Sequence, residues 1–161
     1  MSQIAAVTGV TGHVGRNLAR ALLADGWTVR GLVHKAPAPE GVKPVPGDVL
    51  QPESLDALFE GADVVFHLAA IISIRGDRGG LVQRVNIDGV RNSAQAAARA
   101  GVRRFVHTSS IHAFDTVERG VPITEASARA TPSHPAYDQS KAAGEAALRE
   151  VQDLDFVVCN P

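Results

Sequence analysis

The chain holds one tyrosine, Tyr137, and Lys141 follows it by four positions in the alanine-rich run AYDQSKAAGEAAL (136–148). Residues four apart share one face of a helix, so the phenol and the ammonium can be directed into one site. A free phenol ionises at about pH 10, and a fixed cation beside a phenol favours its ionised form. Such a pair can take up and return a proton. An ordinary solvated pair on a helix surface is the other reading of the same spacing. Upstream, VTGVTGHVGRNL (7–18) sets glycines at 9, 12 and 15. Glycine permits a tight turn there, and a pyrophosphate can approach the backbone where no Cβ intervenes. A helix starting near His13 turns its unpaired N–H groups toward the same anion. The alternative is a plain strand-to-helix turn.

These residues need a frame, and the hydrophobic pattern supplies one. Strands are expected over 4–9, 28–33, 42–48, 62–70, 103–110 and 154–161. Helices are expected over 13–26, 52–61, 80–101 and 133–151, with Gly26, Gly61 and Gly101 as stops. The prolines of VKPVPGD (42–48) predict that this strand ends early or lies near a sheet edge. Repeated β-α units of this kind predict an α/β fold, a three-layer, doubly wound parallel sheet of the Rossmann type. The glycine loop falls between its first strand and first helix, the position that binds a dinucleotide. Trp27 reads as a packing plug, and Cys159 as a small buried strand residue.

The corner after the second strand separates the two pyridine dinucleotides. An acidic residue there accepts the adenosine ribose hydroxyls and repels a 2′-phosphate. This chain reads RGLVHKA (30–36), with His34 and Lys35 at the corner and Arg16 just past the glycines. NADP(H) is therefore favoured over NAD(H), with exposed loop residues as the other reading.

Together these stretches resemble the extended branch of the short-chain dehydrogenase/reductase superfamily, the NAD-dependent epimerase/dehydratase family. The motifs follow in order: TGVTGHVG (8–15), GDV (47–49), HLAA (67–70), VNIDGVRN (85–92), HTSSIHAF (107–114), YDQSK (137–141) and VVCNP (157–161). The resemblance implies a catalytic Ser110, Tyr137 and Lys141. Ser110 would orient the substrate oxygen, Tyr137 exchange a proton with it, and Lys141 hold the nicotinamide ribose. It implies a phosphate loop of Gly9, Thr11, Gly12, His13, Val14 and Gly15. Asp48 and Val49 would meet the adenine, and Leu68, Ala69 and Ala70 would floor the adenosine. Asn86 would brace that region, and Thr108 completes the cofactor set with Tyr137 and Lys141.

Sugar-nucleotide dehydratases of this family carry Asp-Glu after the catalytic hydroxyl; here those places hold Ile111 and His112. HTSSIHAF looks more like the dihydroflavonol reductase and 3β-hydroxysteroid dehydrogenase branch. That implies hydride transfer between NADP(H) and a carbonyl/alcohol pair. A nucleotide-sugar epimerase and a non-catalytic NADP(H)-binding module stay open as alternatives. The family continues past a strand like VVCNP into another strand and a small substrate domain. On that pattern, residues 1–161 are expected to be one NAD(P)-binding domain, without the last strand or strands and the substrate domain. Family members commonly dimerise through the two long helices, here 80–101 and 133–151.

Bulk properties exclude other classes. A net charge of −1 recommends neither nucleic acid nor an anionic membrane as partner. The histidines lack metal-ligand spacing, so no metal is expected. The longest apolar runs, such as 62–74, are interrupted and too short to span a bilayer. MSQIAAVTGV has no basic leader, and a single cysteine rules out an internal disulfide; both suit the cytoplasm.

Overall fold

Short β-branched runs separated by alanine-rich segments fold into one parallel sheet flanked by helices. The computed structural model describes residues 2–115 and 121–161. The strands are β1 (Ile4–Thr8), β2 (Thr28–Val33), β3 (Lys43–Pro46), β4 (Val64–His67), β5 (Arg104–Thr108) and β6 (Phe156–Cys159). They lie in the order β3-β2-β1-β4-β5-β6, with every neighbouring pair parallel. The helices are α1 (His13–Ala24), α2 (Glu53–Phe59), α3 (Leu81–Gln83), α4 (Gly89–Arg99) and α5 (Ala136–Arg149). This is the doubly wound Rossmann-type arrangement expected from the sequence. The strand order reverses between β1 and β4, so a crevice opens at their carboxyl ends, where such sheets bind ligands.

Alternation along the strands separates two cores. On one face, Ala6, Val65 and Phe105 pack with Leu55 and Leu58 of α2, Ala94 and Ala97 of α4, and Leu148 of α5. On the other, Val7 and Val29 pack with Ala19 of α1, and Trp27 plugs against them as expected. The proline-bearing β3 takes the sheet edge, where a missing N–H is tolerated.

Two expectations fail. The helix expected over 80–101 is interrupted by a π-helical turn, Arg84–Asp88, between α3 and α4. The interruption holds Asn86, whose side chain is drawn into bonds with Ile71 and Ser140. Its carbonyl meets α5 so closely that a Cβ at Gly144 would overlap it. Cys159, expected to be buried, is exposed. It lies on β6, the opposite sheet edge; Phe156 and Val158 pack on the core, while Val157 and Cys159 point to the other face. A further turn unforeseen in the sequence, a 3₁₀ helix at Ile111–Ala113, follows β5.

Candidate cofactor and active site

The glycines after β1 do three different things. Gly9 has φ +70, and a Cβ there would come within 2.7 Å of Leu68 C and Ala69 N, so the turn can press against the exit of β4 only as glycine. A Cβ at Gly15 would overlap the Gly9 carbonyl, so α1 packs directly on the turn. A Cβ at Gly12 would meet only Gly9 O, at 3.3 Å, which leaves its outer face open. Gly12 is the N-cap of α1 and no side chain caps it, so the first N–H groups of the helix stay available to an anion. Thr8 stitches the turn to β4: its buried Oγ1 lies 3.0 Å from His67 Nδ1 and accepts from the Leu68 and Ala69 N–H groups.

These elements border a cavity of about 580 Å³, within the usual size range of small-molecule and cofactor sites. Gly9, Thr11 and Gly12 form one wall and Leu68, Ala69 and Ala70 the floor. His34, Lys35, Asp48 and Val49 line the far end. The open glycine face and the uncapped helix suit the phosphates of a dinucleotide. His13 and Val14 are exposed and lie outside the lining, so only their backbone could serve a ligand there. Leu50, Ile71, Arg78, Leu81 and Val85 also line the cavity, and sequence reasoning had not singled them out. At the far end His34 Nε2 stands 3.8 Å from Asp48 Oδ2, while Asp48 Oδ1 accepts from Leu50 N at 2.9 Å. A carboxylate from the β3 exit therefore shares the corner that His34 and Lys35 occupy.

Ser110, Tyr137 and Lys141 lie around the end of β5, outside the lining of that cavity. Lys141 is 3% exposed and its Nζ donates to Thr108 O at 2.9 Å. Burial pushes its pKa down to about 8, and Glu145 partly opposes that shift. Ser110 begins the 3₁₀ turn, and its Oγ accepts from His112 N at 3.3 Å, leaving the hydroxyl proton to donate. Tyr137 is partly exposed in the first turn of α5, its ring edge-on to His112 at 5.9 Å. Among the described residues, no hydrogen bond joins the Tyr137 phenol to Ser110 or Lys141.

A chain of buried amides and hydroxyls ties this group to the cavity. Asn86 accepts from Ile71 N at 2.8 Å and donates to Ile71 O and to Ser140 Oγ. Ser140 Oγ in turn donates to the Tyr137 carbonyl at 2.6 Å. Asn86 thus braces the region from the interrupted helix, and Ser140 is a partner the sequence did not reveal. Below Lys141 lie His67 and His107, register partners on β4 and β5, with ring centroids 5.5 Å apart. Burial, and then the Lys141 charge, lowers the pKa of His67 to about 3. Burial, His67, Lys141 and Arg149 hold His107 well below its ordinary value. Both rings are therefore neutral at pH 7.

Glu145, fully buried one turn beyond Lys141, gathers the surrounding segments. It accepts from Asn160 Nδ2 at 2.7 Å and from Arg149 at 3.3 Å, and lies 3.0 Å from Arg129 Nη1. The Arg129 contact is an ion pair by distance without hydrogen-bond alignment. Asn160 also donates to the Ser110 carbonyl at 2.9 Å, so Glu145 positions the end of β5 through it.

A model of one protein family, described as NAD dependent epimerase/dehydratase, matches residues 5–161. The chain belongs to the NAD dependent epimerase/dehydratase family. This family member is 40% identical over 163 residues to sterol demethylase protein B of Methylococcus capsulatus, an alignment covering 96% of the chain and 49% of the relative. It is 38% identical over 163 residues to ceramide reductase of Caulobacter vibrioides, covering 98% of the chain and 45% of the relative. Among solved structures, a short-chain dehydrogenase/reductase superfamily protein from Agrobacterium tumefaciens with bound NAD superposes at a TM-score of 0.86 and 30% identity. That superposition covers 98% of the chain and 48% of the other. The epimerase/dehydratase chain thus spans about half the length of the curated relatives it matches. Among its described residues, no helix is long and apolar enough to cross a membrane.

Proposed function

We propose that residues 1–161 form the dinucleotide-binding domain of a reductase that moves hydride between NADP(H) and a carbonyl/alcohol pair. One observation carries this reading. The cavity at the strand-order reversal has an open glycine turn and an uncapped helix on one wall, and buried Ser110 and Lys141 with partly exposed Tyr137 stand past its floor. The names of relatives, a ceramide reductase among them, support the same class.

Bound in the cavity, the dinucleotide would supply the hydride. The residues of this chain supply the rest. Gly12 and the first N–H groups of α1 hold the phosphates. Asp48 and Val49 meet the adenine, and Leu68, Ala69 and Ala70 let it lie against backbone. His34 and Lys35 favour the 2′-phosphate. Lys141, kept in place by the Thr108 carbonyl, serves the ribose hydroxyls. Tyr137 gives a proton to the carbonyl oxygen as negative charge grows on it, and Ser110 donates its free hydroxyl proton to the same oxygen. Self-association through the helices of 80–101 and 133–151 belongs to this proposal and is read by sedimentation.

The test is to titrate NADPH and NADH, then assay a panel of carbonyl substrates with Tyr137→Phe alongside. Turnover that falls by about two to four orders of magnitude in the variant, with nucleotide affinity retained, is the expected result. Nucleotide uptake with no turnover that depends on Tyr137 overturns the reductase reading in favour of a binding module. Selective uptake of a UDP-sugar by the nucleotide-loaded chain favours an epimerase.

A further inference from the structure

We infer that Arg78 is a phosphate-binding residue, closing the cavity over the pyrophosphate common to NAD(H) and NADP(H); this rests on the dinucleotide reading above. Arg78 lies in the loop that leaves β4 and lines the cavity. Among the described residues its guanidinium makes no ion pair and no hydrogen bond. The neighbouring Asp77 makes no ion pair with it among the described residues and accepts instead from Gln83 N at 3.0 Å. A cation in the wall of a cofactor-sized cavity, with no carboxylate paired to it among the described residues, is suited to a charged ligand.

The backbone supports the same assignment. Arg78 adopts φ +53, a left-handed conformation uncommon for a side chain of its size, between glycines at 76, 79 and 80 that also have positive φ. Glycine would suit position 78 better on backbone grounds alone. A long basic side chain kept in such a conformation and set in a cavity wall points to a ligand rather than to folding.

Strand order favours the phosphates at the glycine turn. β2, which ends at His34 and Lys35, and β4, which leads to Arg78, lie on opposite sides of β1. The glycine turn after β1 presses on Leu68 and Ala69 at the β4 exit. Arg78 lies on the loop from β4 and shares the cavity lining with Gly9, Thr11 and Gly12, whereas the corner where a 2′-phosphate would sit is at the exit of β2. The phosphates between those two sides are the ones every pyridine dinucleotide shares.

The experiment measures the Kd of the full chain for NADH, NADPH and ADP-ribose, for wild type, Arg78→Gln, Arg78→Gly and Arg75→Gln. Arg75 is a cation of the same loop that does not line the cavity. Loss of one charge-assisted contact should weaken all three ligands by a similar factor, on the order of tenfold, in both Arg78 variants. Arg75→Gln should bind as wild type does. Arg78→Gly should unfold at the same temperature as wild type or higher, since glycine adopts the observed φ without strain. A merely structural role would instead lower that temperature and spare affinity in whatever stays folded. Loss confined to NADPH overturns the assignment and moves Arg78 to the 2′-phosphate. Unchanged affinity, or an equal loss in Arg75→Gln, also overturns it. A wild-type chain that takes up none of the three ligands overturns the dinucleotide reading as well; binding by wild type with no change in the variants overturns this inference alone.

Discussion

Lowering the pH from 7.5 to 5 should destabilise the fold by roughly 2 kcal/mol through His67 alone. The ring is fully buried between Thr8 and His107, and burial holds its pKa near 3, against 6.5 for a free imidazole. Above pH 6.5 neither the folded nor the unfolded ring carries a proton, and the stabilisation is complete. Below 6.5 the unfolded ring protonates and the folded ring does not, so stability falls as pH drops, until about pH 3. Each pH unit in that window costs about 1.4 kcal/mol, which gives roughly 2 kcal/mol at pH 5. His107 adds a loss of the same sign, since its folded pKa is also depressed by burial. The perturbation is His67→Asn, which keeps a polar partner for Thr8 and removes the titration. Urea unfolding at both pH values gives the loss for each protein. With a slope of about 2 kcal/mol per molar urea, the wild-type midpoint should fall by about 1 M more than that of the variant. Equal shifts in the two proteins would refute the reasoning, because they would show that His67 takes up its proton in the fold as readily as in the unfolded chain.

Two further outcomes follow from the electrostatics around the site. Glu145→Gln removes the charge that holds Asn160, Arg149 and Arg129, and should lower unfolding free energy by about 2 kcal/mol in denaturant titrations. Stability within a few tenths of wild type would mean that the Asn160 amide alone anchors this junction. Lys35→Glu places a carboxylate beside His34, and should weaken NADPH at least tenfold more than NADH in fluorescence titrations. Equal loss of both nucleotides would remove the basis for an NADP(H) preference.

The parts of this molecule legible in the sequence are those fixed by near neighbours along the chain. The glycine spacing at 9, 12 and 15 announced the turn because each glycine's role depends on the turn itself and on the strand beside it. Gly26, Gly61 and Gly101 marked helix ends correctly, and each has positive φ in the structure. The prolines of β3 announced a short strand or an edge, because a proline cannot donate to the ladder, and β3 is both. What escaped depends on residues far apart in sequence. Cys159 looked like any buried strand residue, and only the position of β6 at the rim leaves it exposed. Asn86 was legible as a brace, but its reach to Ser140 and the π-helical turn around it required α5 in place. His67 and His107 face each other only because β4 and β5 pair in that register. Glu145 read as one acid in an alanine-rich helix until Arg129 and Asn160 were brought to it. Arg78 sat in a glycine-rich loop with no periodicity, and nothing in its immediate sequence tied it to the glycine turn.

The central claim is a pyridine dinucleotide lying across the carboxyl ends of β1 and β4, and a crystal structure of the chain grown with NADPH tests it most directly. The account predicts phosphate density between the Gly12 turn and Arg78, adenine near Asp48, and the nicotinamide within reach of Tyr137 and Ser110. Nucleotide bound elsewhere, or in the cavity with the nicotinamide directed away from Tyr137, would contradict it.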